Sequence, residues 1–241
     1  MAAHSRIVCC RPHRWHVQRM GQGPLMLLLH GAGGSLHSFA DLMPLLASRF
    51  TVVAIDLPGH GFTQPGARHR SGLIPMAEDI EKLCAAQGWQ PDAIVGHSAG
   101  CAVALQLSRT ILSPRGQPPK VIGINAALSE FNGLAGVLFP AMAKALAALP
   151  CTAQLFAGMA GNPERVKSLI SGTGSELDSN GLRYYEQLVS DKDHVDGALL
   201  MMAQWSLAPL LRDLETLQTE TLLIAGDRDK TVSPDVSRKA A

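Results

Sequence analysis

Apolar residues in the first half of the chain come in short runs separated by turn formers. Leu25 to Leu29, Thr51 to Ile55, Asp92 to Gly96 and Lys120 to Ile124 are such runs, which predicts strands buried on both faces. Trp15 to Met20 alternates in type and predicts a further strand. Between the runs, His37 to Ser48, Ser71 to Gln87 and Ala99 to Leu112 carry apolar residues at helical spacing. Strand and helix in alternation imply right-handed parallel crossovers, hence an α/β fold with a doubly wound, mostly parallel sheet. From Asn125 to Leu214 the alternation stops. Helical patterns there are broken at Pro150, Gly161-Asn162-Pro163, Gly172-Thr173-Gly174 and Asn180-Gly181, which predicts an inserted helical lid. Thr221 to Ala225 then reads as one more buried sheet strand. The expected organisation is a core over 1–128, a lid over 129–213 and the second part of the core over 214–241.

Composition narrows the function classes. With 241 residues, 46% of them apolar and 17% charged, the chain supports one sizeable buried core. A net charge of +1 without a dense Lys/Arg stretch excludes a phosphate-neutralising nucleic-acid surface. Arg6, Arg11, Arg14 and Arg19 run into a strand-like segment rather than an apolar signal core. The longest apolar window, Gly133 to Leu149, is short for a bilayer and is interrupted by Pro140 and Lys144, so no transmembrane segment is expected. Cys9, Cys10, Cys84, Cys101 and Cys151 show neither zinc spacing nor an even count, which points to reduced thiols and the cytoplasm.

Three features carry chemistry. Gly96-His97-Ser98-Ala99-Gly100 lies between a predicted strand and a predicted helix, the setting in which a sharp turn presents a serine to a cleft. A helix N-cap serine in an ordinary Gly-rich turn is the competing reading. His30-Gly31-Ala32-Gly33-Gly34-Ser35 follows the Leu-rich strand, and its glycines let backbone N–H groups face a ligand. The amides of Ala32 and Ala99 are the expected oxyanion-hole donors. The run lacks both phosphate-loop spacings, so no nucleotide cofactor is expected. Asp229 sits past Gly226 at the carboxyl end of the last strand and is the expected triad acid, with Asp227 as the alternative. No histidine follows Asp229, although the chain order Ser, acid, His calls for one. Those that precede it, among them His13, His16, His37, His60 and His194, read as loop or helix-surface residues, and His30 reads as a structural loop histidine. The sequence is therefore expected to be either a C-terminally incomplete hydrolase or a pseudo-enzyme, and the absence of the expected final strand and helix favours the former.

Together these residues resemble the α/β-hydrolase fold, and within it the BchO-type magnesium chelatase accessory proteins of bacteriochlorophyll synthesis. The resemblance rests on Arg14 to Gly21, His30 to Ser35, Phe50 to Thr63, Gly96 to Gly100, Gly123 to Leu128, Phe139 to Lys144 and His194 to Trp205. The lid segments in that set are the more specific ones. It implies a role near magnesium insertion into protoporphyrin IX, with chelatase subunits or a tetrapyrrole as partners. Two activities are expected: a serine hydrolase acting on an ester, thioester or amide through Ser98, or a non-catalytic accessory. Phe139, Met142, Met202 and Trp205 are candidates for an apolar pocket roof, against the plainer reading of lid-to-core packing. Scattered acids such as Asp178 and Asp196 form no visible metal cluster, and no metal is expected.

Overall fold

A computed structural model describes residues 4–129 and 162–241. Its strands are β1 (Ser5–Cys10), β2 (His13–Met20), β3 (Leu25–Leu29), β4 (Thr51–Ile55), β5 (Ala93–His97), β6 (Lys120–Ile124) and β7 (Thr221–Ile224). Its α-helices are α1 (Leu42–Leu46), α2 (Leu73–Gln87), α3 (Ala99–Leu107), α4 (Pro163–Gly172), α5 (Ser179–Ser190), α6 (Lys192–Gln204), α7 (Ala208–Arg212) and α8 (Pro234–Ala240).

The strands form one sheet in the order β1-β2-β4-β3-β5-β6-β7. β1, β2 and β4 pair antiparallel, and from β4 to β7 every pairing is parallel. Side chains alternate across it, as the pleat requires. Leu27, Leu29, Val53, Ile55 and Ile94 pack with α2 and α3, while Met26, Leu28, Val52, Ala54 and Val95 pack with Leu36, Phe39 and Met43 on the other face. Both faces are thus covered, which is why these strands are continuous apolar runs. α4 to α7 lie between β6 and β7 in the chain, where the helical patterns place them.

Four expectations change in the structure. His37 to Ser48 is not one helix but a 3-10 turn at Leu36–Phe39 followed by α1. The Ser35 hydroxyl accepts from the His37 amide at the turn's start, and Pro44 has no N–H to offer a helix continuing through it. α3 stops at Leu107 because Ser108 turns its hydroxyl back to the Leu105 carbonyl, competing with the helix ladder. β1 and α8 are elements that the apolar pattern did not announce. β1 exists through its antiparallel ladder with β2, and α8 begins at Ser233, whose side chain accepts from the Asp235 amide ahead of Pro234. Finally, β7 is not buried. It pairs with β6 at the sheet edge, and Leu222 and Ile224 are 56% and 49% exposed.

Candidate active site

β3 has β4 on one side and β5 on the other, so successive connections leave it in opposite directions. That reversal opens a crevice at the carboxyl ends of β3 and β5, where open α/β sheets bind their ligands. The loop 30–35 and the β5–α3 turn emerge side by side there.

Ser98 occupies the turn with φ 53 and ψ −119, a conformation costly for any residue with a Cβ. Its side chain makes no capping bond, so it is not the ordinary N-cap serine. The backbone holds it from both sides: its amide donates to the Ile124 carbonyl, and its own carbonyl accepts from Cys101 and Ala127. The small neighbours are a steric requirement. A Cβ on Gly96 would lie 2.4 Å from the Gly100 carbonyl oxygen, and one on Gly100 would lie 2.2 Å from that of Leu29. The 30–35 loop also approaches closely, since a Cβ on Gly31 would sit 3.0 Å from the Ser98 Cβ and 3.2 Å from His97 Nδ1. Among the described residues, no group accepts from the amide of Ala32 or of Ala99. The latter opens α3, where no intrahelical acceptor exists.

The expected acid, Asp229, follows β7. Asn125, itself at φ 46, accepts the Gly226 amide on its side-chain oxygen (2.7 Å), tying the exit of β7 to the exit of β6. Asp229 Oδ1 accepts from Thr231 (2.7 Å) and Val232 (3.0 Å), which fixes the carboxylate. Burial lowers the His97 imidazole below its ordinary value, and the negative charge of Asp229 offsets part of this. Asp227, the alternative, is exposed.

Most of the histidines are not surface residues. His13, His16, His30, His60 and His194 are buried, and the last four surround the same loops. Their hub is Asp56, which accepts from the Leu36 amide (2.7 Å), His16 Nδ1 (2.7 Å) and the Phe62 amide (3.0 Å). Burial pushes the Asp56 carboxyl up, but His16, His30 and the two amides outweigh it, and the net direction is down. Obligatory donors assign two rings. Leu57 N–H donates to His30 Nε2 (2.9 Å), so His30 Nδ1 carries the hydrogen and donates to the Gly31 carbonyl (2.8 Å). Gly61 N–H donates to His194 Nδ1 (3.0 Å), so His194 Nε2 donates to the Gly33 carbonyl (3.2 Å). His60 Nδ1 donates to the Pro58 carbonyl (3.1 Å), while its Nε2 is buried without a partner among the described residues. Burial holds all three rings neutral, His30 down to about 4.

Asp56 had a visible signal, an acid at a strand's carboxyl end opening a Pro-Gly-His-Gly turn. His194 had none, because its partner Gly61 lies 133 residues away in sequence. Of the roof candidates, Trp205 is partly buried against the main core and Met202 is 44% exposed. Phe139 and Met142 lie outside the described residues. Asp178 caps α5, and Asp196 pairs with Arg68. Among the described residues no group of acids, histidines or cysteines is arranged to hold a metal ion, and no helix is long and apolar enough to cross a membrane.

The chain belongs to the α/β-hydrolase fold family, whose model matches residues 24–241. Within that class it is 48% identical over 232 residues to the Magnesium-chelatase 30 kDa subunit of Rhodobacter capsulatus, covering 95% of this chain and 80% of that one. That likeness places it in the family of that chelatase subunit. It is 29% identical to a Pimeloyl-[acyl-carrier protein] methyl ester esterase of Stenotrophomonas maltophilia, covering 94% of this chain and 83% of the esterase. An esterase structure from Exiguobacterium antarcticum superposes with a TM-score of 0.74 at 16% identity, covering 97% of this chain and 85% of that one. An α/β hydrolase fold protein from Burkholderia ambifaria gives 0.74 at 19%, covering 99% and 88%. These structural likenesses concern the fold.

Proposed function

We propose that this chain is a serine hydrolase that serves magnesium chelatase in bacteriochlorophyll synthesis, working on an ester, thioester or amide in the cytoplasm. The observation that carries it is Ser98, held at φ 53 with its hydroxyl uncommitted to capping, against a loop that packs tightly on it at Gly31. The Ser98 Oγ adds to the carbonyl carbon and its proton passes to a general base. The oxyanion that forms takes hydrogen bonds from the Ala32 and Ala99 amides. Collapse breaks the carbonyl–leaving-group bond, the leaving group takes the proton from the base, and water then releases the acyl group from Ser98. Asp229 orients the base. No histidine lies among residues 230–241, so the base has no candidate in that stretch. The insertion over 129–213 would roof the cleft.

The test is covalent capture. A fluorophosphonate should label the source organism's protein at Ser98 and not the Ser98→Ala variant; a folded protein that stays unlabelled would discard hydrolysis. The likeness to a chelatase subunit favours a second reading, an accessory that binds a tetrapyrrole or another chelatase subunit. Co-purification with chelatase subunits that survives Ser98→Ala, without labelling of the wild type, is the outcome that reading requires.

A further inference from the structure

The loop 30–35 is held by hydrogen bonds rather than by packing at its tip. Gly33 lies at φ +71, and a Cβ placed on it would meet nothing within 4 Å. What fixes the tip is a relay of two peptide planes. In a trans peptide the N–H and C=O point opposite ways, so holding one end directs the other. The Gly33–Gly34 peptide has its carbonyl on His194 Nε2–H (3.2 Å) and its N–H on the Gly31 carbonyl (3.1 Å). The Gly31–Ala32 peptide thus has its carbonyl turned inward, where His30 Nδ1–H also donates to it (2.8 Å), and the Ala32 N–H points away from that contact.

His194 itself is immobilised. Its Nδ1 is committed to the Gly61 amide (3.0 Å), and its ring packs edge-on against His60, centroids 5.3 Å apart. One turn further along α6, Gly197 touches Gly59 backbone to backbone, and a Cβ on Gly197 would fall 1.9 Å from the Gly59 carbonyl oxygen. α6 is therefore seated directly on the 56–62 turn, and its histidine reaches past that turn to the loop beside Ser98.

We propose that His194 is a positioning residue for the oxyanion hole: from the inserted helix α6 it orients the Gly33–Gly34 peptide, and through it the Ala32 amide. This rests on the reading of Ser98 and Ala32 as nucleophile and oxyanion donor. Its consequence is mechanical coupling. Whatever lifts α6 withdraws the His194 donor and leaves the Gly31–Ala32 peptide held by His30 alone, so a seated lid and a fully fixed oxyanion hole are one state.

The experiment compares wild type, His194→Ala, His194→Phe and His194→Gln in the full chain, each checked for folding by thermal unfolding. Phe keeps the ring volume without the hydrogen bonds, and Gln supplies an acceptor and a donor at similar reach. Two readouts are taken: amide exchange across residues 31–36, and the second-order rate of fluorophosphonate labelling. Loss of one oxyanion donor costs roughly a hundredfold or more in rate, and misdirecting one without removing it is expected to cost at least about tenfold. The Phe variant should exchange the Gly34 amide at least about tenfold faster and label correspondingly more slowly, with Gln restoring both toward wild type. The Ala variant should behave as Phe does; if it does not fold, the Phe and Gln pair decides. Wild-type exchange and labelling in a folded Phe variant would overturn the proposal. An unlabelled wild type whose loop exchange still depends on residue 194 would overturn the hydrolase reading while leaving the hold of His194 on the loop demonstrated.

Discussion

Replacing Asp56 by Asn tests whether this carboxylate is what joins the 30–35 loop to the 56–62 turn. Its side chain is buried, and its two oxygens accept from three donors, Leu36 N–H on Oδ1 and both His16 Nδ1–H and Phe62 N–H on Oδ2. An amide of the same shape turns one oxygen into a donor. With the NH2 at the Oδ2 site, His16 can move its hydrogen to Nε2, where Ser5 Oγ lies 3.1 Å away, and accept from Asn on Nδ1. The Phe62 N–H has no such freedom and is left facing a donor. With the amide flipped, the Leu36 N–H is stranded instead. Either way one N–H, part-buried at Phe62 or buried at Leu36, loses its acceptor, at about 1–3 kcal/mol, and the remaining bonds lose their charge assistance, so the expected destabilisation is about 1–4 kcal/mol. Urea unfolding measures it, and nitrogen-15 shifts of His16 report the tautomer change. A variant within about 0.5 kcal/mol of wild type, with the 31–36 amides as protected as before, would refute the hub argument.

Ser98→Gly should abolish fluorophosphonate capture yet raise stability by about 1 kcal/mol, because glycine adopts the φ 53 conformation without strain; a destabilised variant in urea unfolding would count against strain at the elbow. Stability should fall on acidification well before the carboxylates titrate. Burial lowers His30 to about 4 and lowers His60 and His194 in the same sense, so the unfolded chain binds more protons than the folded one below about pH 6.5. This contribution is complete above that pH and lost toward pH 4, at roughly 3 kcal/mol for His30 alone, and urea midpoints that stay flat from pH 7.5 to about 4.5 would contradict it. Thiol titration with a disulfide reagent should modify the exposed Cys9 quickly and leave Cys84 and Cys101 silent in the folded protein, since burial pushes both thiols to about 12.

Much of this molecule is written in local pattern. Five-residue apolar runs become central strands because both of their faces are covered, and β3, β4 and β6 begin and end where their turn formers stand. The Ser98 elbow was equally legible, since two glycines flanking a serine between strand and helix leave the backbone one way to turn. β1 was not legible, because a strand at a sheet edge is made by its partner's ladder more than by its own side chains. The histidines were misplaced for a related reason. Their chemistry is set by burial and by which backbone groups face each nitrogen, and neither quantity is local.

What the sequence alone determined is therefore the alternation, the sheet it implies, the sharp turn at Ser98 and the glycine-rich loop, all of which follow from spacing and from steric limits acting over a few neighbouring residues. Only tertiary structure decided that Asp56 gathers three donors from separate segments, and that a histidine on the inserted helix holds a loop more than a hundred residues away in the chain. Those outcomes depend on distances through space between polar groups in a low-dielectric interior, and a one-dimensional pattern carries no record of such distances.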